Sequence, residues 1–163
     1  MSGPRLVLIC GLPGSGKTTL ARRLAAELGA VRFCPDEWRG ALELDLWDQP
    51  LRARLEALQW ELAQQLLQLG QSVVIEWGVW ARWERDNVRE RARELGVAVE
   101  LRFLEEPLDV LWARVKDRNE NGPPGTPIIT YENLVDWSTN DFEAPTAEEQ
   151  ALFDPPAPPS RLS

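Results

Sequence analysis

Histidine is absent from this chain of 163 residues, and cysteine (two), methionine (one) and tyrosine (one) are scarce. Without histidine no imidazole serves as general base, and histidine-ligated zinc or iron is excluded. Proton transfer falls to carboxylates, lysines, cysteines or Tyr131. Cys10 and Cys34 each end an apolar run, far from any CxxC spacing, and read as buried small hydrophobes. That usage points to a reducing compartment, so a cytoplasmic location is expected. No apolar run approaches the roughly 20 residues of a membrane span, and MSGPRLVLICG lacks a signal-peptide pattern, so no membrane partner is expected. Basic residues are outnumbered 18 to 26, for a net charge of −8. An acidic chain binds nucleic acid poorly in general, because phosphate neutralisation supplies most nonspecific affinity.

What is present is a regular alternation of strand and helix signals. Leu6 to Cys10 is a continuous apolar run ended by Gly11, as in a buried parallel strand. A helix is predicted over 17–28 with Leu20, Leu24 and Leu28 at four-residue spacing, stopped by Gly29. A short strand follows at 31–34. Pro50 opens a long helix whose inner face is predicted as Leu51, Leu55, Leu58, Leu62, Leu66 and Leu69, with Gly70 at its end. SVVIEW, 72–77, is a third strand. A charged helix at 81–95, a fourth strand at 97–103 and a helix from Pro107 to about Arg118 complete the pattern. NENGPPGTPII, 119–129, reads as a loop, and Thr130 as the N-cap of a last helix, with Asn133 in place of the Glu or Gln of a full capping box. Such alternation indicates an α/β fold with a parallel, doubly wound sheet. One domain over 1–154 is expected, with a lid at about 118–130. The proline-rich tail, 155–163, should be extended or disordered.

The first motif with a chemistry is GLPGSGKT, 11–18, which fits the Walker A pattern G-x-x-x-x-G-K-[ST] between a predicted strand and a predicted helix. Gly11, Leu12, Pro13, Gly14, Ser15 and Gly16 would wrap a phosphate with backbone amides, ahead of a helix N-terminus that favours negative charge. Lys17 would reach the β- and γ-phosphates, Thr18 would ligate magnesium, and Thr19 would complete the nucleotide-binding stretch. Thr19 also stands where a dinucleotide-binding pattern needs its third glycine, so that alternative fails. Glu76 ends the third strand; it is either a magnesium-shell acid or a solvated strand end. Which of Glu76 and Asp36 lies nearer the metal is not legible.

The acceptor side is drawn from the segments after strands two and three. Asp36 follows Lys17 by nineteen residues, and is either the cap of a turn beginning at Glu37 or a base that deprotonates an acceptor hydroxyl. Arg82 and Arg85 occupy the first turn of a helix, where cations oppose the dipole, and would hold a phosphate or belong to a solvated face. Trp38, Trp47, Trp77 and Trp80 either pack the core or ring an acceptor with a flat part. Arg114 and Arg118, four apart, share a helix face at the mouth of the lid. They would stabilise charge on the transferring phosphoryl group, or complement a helix C-terminus.

Taken together, GLPGSGKTTLARRL, the PDEW after strand two, VVIEWGVWARWERD and RVKDRNENGPPGTPIITYENL resemble the short bacterial P-loop kinases of the AAA-type ATP-binding family. Those kinases are allied to chloramphenicol phosphotransferase, zeta toxins and polynucleotide 5′-hydroxyl kinases. The resemblance implies a P-loop NTPase three-layer sandwich of about four strands, in the order 2-3-1-4, under a helical or loop lid. It implies ATP, with GTP as the alternative, and Mg2+ as cofactors. It also carries the catalytic base over to Asp36 and the lid arginines to Arg114 and Arg118. Glu76 departs from the commoner Asp, and Trp77 from the commoner Phe. The expectation is a kinase moving the γ-phosphate to a hydroxyl of a small molecule of antibiotic, nucleoside or sugar type. Alternatives are a polynucleotide 5′-hydroxyl kinase, which needs only a local basic groove, and a nucleotide-hydrolysing switch without an acceptor. The acceptor's identity and the oligomeric state are not legible.

Overall fold

The computed structural model describes residues 3–158. Four parallel strands form one sheet: β1 (Arg5–Cys10), β2 (Val31–Phe33), β3 (Val73–Gly78) and β4 (Ala98–Phe103), in the order β2-β3-β1-β4. This is the order expected from the sequence. Helix α1 (Lys17–Leu28) follows β1; α2 (Pro35–Ala41) and α3 (Gln49–Gln68) follow β2; α4 (Arg82–Glu94) joins β3 to β4. After β4 come α5 (Leu108–Asn121), α6 (Tyr131–Asp136), a π-helical turn (Trp137–Asp141) and α7 (Ala147–Gln150).

Alternation along β1 divides the core. Leu6, Leu8 and Cys10 pack with Ala63, Leu67, Val88 and Ala92 of α3 and α4, whereas Val7 and Ile9 pack with Ala21 and Leu24 of α1. A third cluster lies outside the sheet and joins the phosphate loop to the lid. There Leu12 meets Leu111 and Val115 of α5 and Ile129 and Leu134 beyond it. The loop tip therefore shares a hydrophobic core with α5 and the segment that follows it.

Three expectations are corrected. The buried face of α3 is Leu55, Gln59, Ala63 and Leu67, whereas Leu58, Leu62 and Leu69 are exposed. The four-residue steps from 55 to 67 advance slowly around the helix and track the sheet. The leucines at 58, 62 and 69 lie on a neighbouring stripe. Helix α5 continues to Asn121, so the predicted lid begins later than expected; Asn119 lies inside the helix and binds the main chain of Ile129 through both its amide oxygen and its amide nitrogen. The PDEW segment is the start of α2, not an open turn, with Pro35 in its first position.

At the lid's far end Thr130 and Asn133 cap α6 reciprocally, Asn133 taking the role usually given to Glu or Gln. Of the tail expected to be extended or disordered, residues 155–158 lack regular structure but are held. Arg5 donates to the Pro155 carbonyl at 2.7 Å, and the Ala157 amide donates to Glu100 at 2.9 Å. Residues 159–163 lie outside the described residues.

Candidate active site

The loop between β1 and α1 is built for close backbone approach. Gly14 has φ +84°, and a Cβ there would lie 2.8 Å from the Leu111 carbonyl, so α5 packs directly on the loop. Lys17 begins α1 and folds back, its ammonium donating to the Gly11 and Leu12 carbonyls at 3.0 Å each. Burial pulls the Lys17 pKa down to about 8, against the attraction of Asp36 and Glu76 and with the help of Arg52 and Arg118. The buried Ser15 hydroxyl has no hydrogen-bond partner. An orphaned polar atom inside a glycine-rich loop at a helix N-terminus fits a phosphate oxygen.

Glu76 is 6% exposed at the end of β3. A register shift between β1 and β3 lies beside it, since Leu8 pairs with Ile75 but Cys10 pairs with Gly78. The Thr18 hydroxyl donates to Glu76 Oε1 at 2.7 Å, and Arg32 of β2 donates to Oε2 at 2.8 Å. Two hard oxygens thus stand together beside the phosphate loop. Among the described residues no group of three or more His, Cys, Asp or Glu converges. The Thr18 and Glu76 pair fits magnesium, which is held by one or two protein oxygens together with water and substrate phosphates. Arg32 also pairs with Glu37, and these two acids hold the Arg32 guanidinium charged despite its burial.

Asp36 lies in the first turn of α2 with its side chain 60% exposed. It caps nothing: the N-cap position is Cys34. Arg39 Nη1 stands 3.5 Å from its carboxylate and Arg52 Nη1, from α3, 4.0 Å. Arg39 is fully buried, and its Nε and Nη1 have no hydrogen-bond partner, while Nη2 donates to the Asp45 carbonyl. Arg52 is tied to Glu56 at 2.9 Å and to the Trp77 carbonyl. Burial and the Glu76 carboxylate push the Cys34 thiol up to about 12, and burial pushes the Cys10 thiol up to about 11, so neither is a thiolate at neutral pH.

On the lid side, Arg114 donates to the Gly14 carbonyl at 3.1 Å and pairs with Glu106. Arg118, one turn on, is among the charges acting on Lys17. Several residues expected to contact an acceptor are engaged elsewhere. Arg85 has no exposed surface. It forms a two-pronged pair with Glu149 at 2.6 and 3.1 Å and donates to the Val79 and Trp80 carbonyls. Arg82, half-exposed, pairs with Asp86. Trp38 packs on Phe33, and the Trp77 indole donates to Gln59 at 2.8 Å. Trp80 packs on Trp137 and donates its N–H to the Gly11 carbonyl. Trp47 remains about half exposed.

Sequence reasoning overlooked Arg32, Arg39 and Arg52. A signal existed only for Arg39, which stands three residues after Asp36 on what proves to be one helix.

With this geometry in view, the chain belongs to the AAA domain family, which matches residues 6–145. Its strand order and the loop at 11–18 are those of the P-loop kinase fold. No curated protein matches it. Among solved structures it is similar to the Pnkp1/Rnl/Hen1 RNA repair complex, with 22% identity and a TM-score of 0.70 over 85% of this chain and 44% of that one. It thus spans less than half of that protein's length. It is also similar to a gluconokinase from Sinorhizobium meliloti 1021, with 20% identity and a TM-score of 0.62 over 92% of this chain and 81% of that one. A third likeness is to a sugar kinase from Janibacter sp. HTCC2649, with 25% identity and a TM-score of 0.62 over 90% and 82%. These likenesses establish the fold.

Proposed function

We propose that this chain transfers the γ-phosphate of ATP to a hydroxyl of a small molecule, with Asp36 as general base. The observation that carries this reading is the setting of Asp36. It is an exposed carboxylate with no capping duty, flanked by two arginines and close enough to Lys17 to act on its charge. In a chain without histidine, a carboxylate there is the group able to take the acceptor's proton.

The remaining residues divide the work. The loop amides and Lys17 hold the β- and γ-phosphates once the lysine leaves its carbonyls. Thr18 and Glu76 would hold magnesium, which when bound neutralises phosphate oxygens. Arg114, which donates to the Gly14 carbonyl, and Arg118, one turn on, would spread positive charge over the transferring group. A groove of about 450 Å3 on the outer side of the loop, bordered by Thr19, Arg23, Glu106 and Arg114, suits the nucleoside. The segment from 122 to 130 excludes water so that transfer outruns hydrolysis.

The test is a screen of hydroxyl-bearing metabolites and antibiotics, with a 5′-hydroxyl oligonucleotide included, following ATP consumption. Asp36→Asn should lower transfer at least ~100-fold while nucleotide affinity stays nearly intact. Transfer at the wild-type rate in that variant would overturn the mechanism. Acceptor-independent hydrolysis indifferent to Asp36 would mark a nucleotide switch instead.

A further inference from the structure

Lys17 holds two loop carbonyls, and each has a second donor. The Leu12 carbonyl also accepts from the Ser15 amide at 3.2 Å. The Gly11 carbonyl also accepts from the Trp80 indole at 3.1 Å. A carbonyl oxygen has two lone pairs and accommodates both donors. If the ammonium moves to a phosphate, neither oxygen is left without a partner.

The turn that delivers the Trp80 indole is unusually constrained. Gly78 has φ +90°, and a Cβ there would lie 3.0 Å from the indole nitrogen. Val79 has φ +40°, a conformation in which a β-branched residue is strained. Strain of this kind persists only where the surroundings hold it. Here Arg85 donates to the Val79 and Trp80 carbonyls, and the Glu143 amide donates to the Trp80 carbonyl at 3.0 Å. The same turn receives the Gly11 amide at the Gly78 carbonyl, at 3.3 Å. Gly11 is therefore fixed at both its amide and its carbonyl by one strained, braced turn.

We propose that Trp80 is a positioning residue for Lys17: its indole N–H keeps the Gly11 carbonyl satisfied and the start of the loop fixed while the ammonium transfers to the nucleotide's phosphates. Without that donor, capture of the nucleotide by Lys17 would strip the Gly11 carbonyl of its last partner. The proposal concerns nucleotide capture, and it holds whichever hydroxyl accepts the phosphate. Failure of the acceptor reading leaves it untouched.

The test replaces Trp80 site-specifically by benzothienylalanine, which keeps the bicyclic shape and removes the N–H, alongside Trp80→Phe. MgATP affinity is measured by calorimetry and stability by thermal melting. The expected result is about tenfold weaker MgATP binding in both variants, the order set by leaving one buried carbonyl without a donor. Melting should shift little for the benzothienyl variant. Trp137→Phe, which alters the ring packing but keeps the indole bond, should bind MgATP as the wild type does. Affinity within twofold of wild type in the benzothienyl variant would overturn the proposal. So would equal weakening in Trp137→Phe, or failure of the benzothienyl variant to fold, since either makes Trp80 a packing residue.

Discussion

Lys17 is the residue whose environment most directly sets a measurable behaviour. Burial lowers its pKa to about 8, so the free protein carries the ammonium below that pH and loses it above. Phosphates bind the charged form. MgATP affinity should therefore be flat up to about pH 7 and weaken roughly tenfold or more by pH 9.5, as proton uptake becomes a condition of binding. Calorimetry across that range reads the slope, and Lys17→Arg should abolish it, because a guanidinium stays charged throughout. Arg39 offers a second prediction at this scale. Its unpartnered Nη1 stands 3.5 Å from the Asp36 carboxylate, which it is expected to hold in place. Arg39→Met keeps the buried volume and removes a desolvated charge, so urea unfolding should show little loss of stability. Transfer should nevertheless fall at least ~10-fold. The phosphate loop was legible because its chemistry is contiguous in the chain, from Gly11 to Thr19. Arg32 and Arg52 were not legible, since Arg32 meets Glu76 only where β2 lies beside β3, and Arg52 meets Asp36 only where α3 lies beside α2.

Helix α3 shows where element-level reasoning reaches its limit. Its boundaries were readable from Pro50 and Gly70, yet of the leucines assigned to its inward face only Leu55 is fully buried, and Gln59, Ala63 and Leu67 complete that face. Leucine is so frequent along this helix that composition cannot choose between two adjacent stripes. The choice is made by the sheet, and by Gln59, which enters the core to receive the Trp77 indole. The assignment is testable by a pair of equal truncations. Leu67 is 2% exposed and Leu69 84%. Leu67→Ala should cost about 3 kcal/mol through lost burial and a residual cavity, whereas Leu69→Ala should stay within about 0.5 kcal/mol. Urea midpoints at constant slope decide it. The strands, by contrast, were legible almost to the residue, β1 and β3 most clearly, because runs buried on both faces have no competing stripe.

At the scale of the whole molecule, the parallel sheet followed from the alternation of elements and its strand order from the family resemblance, but the way the segment around Asp154 braces the fold followed from neither. Asp154 pairs with the edge strand β4 at Val99 through its own amide and carboxylate, so the open side of the sheet is covered by the chain's own end. Glu149 of α7 reaches Arg85 of α4, 64 residues away in sequence, where both are essentially unexposed. Nothing in either segment announces the other, and the arginine's position near β3 suggested a ligand instead. The pairing predicts an asymmetry. Glu149→Gln leaves a buried guanidinium without its countercharge, which should cost about 3 kcal/mol or more. A buried pair is weakly screened, so that loss should persist in 1 M salt, unlike the loss from a surface pair such as Arg91–Glu94. Arg85 also holds the Val79 and Trp80 carbonyls, so a guanidinium released from Glu149 loosens the turn that fixes Gly11. Glu149→Gln should therefore weaken MgATP binding severalfold at temperatures where the protein remains folded, although Glu149 lies on a different helix from the phosphate loop. Urea unfolding with and without salt, followed by calorimetry on the folded variant, separates the two effects. A salt-sensitive stability loss with unchanged affinity would place Glu149 outside this connection.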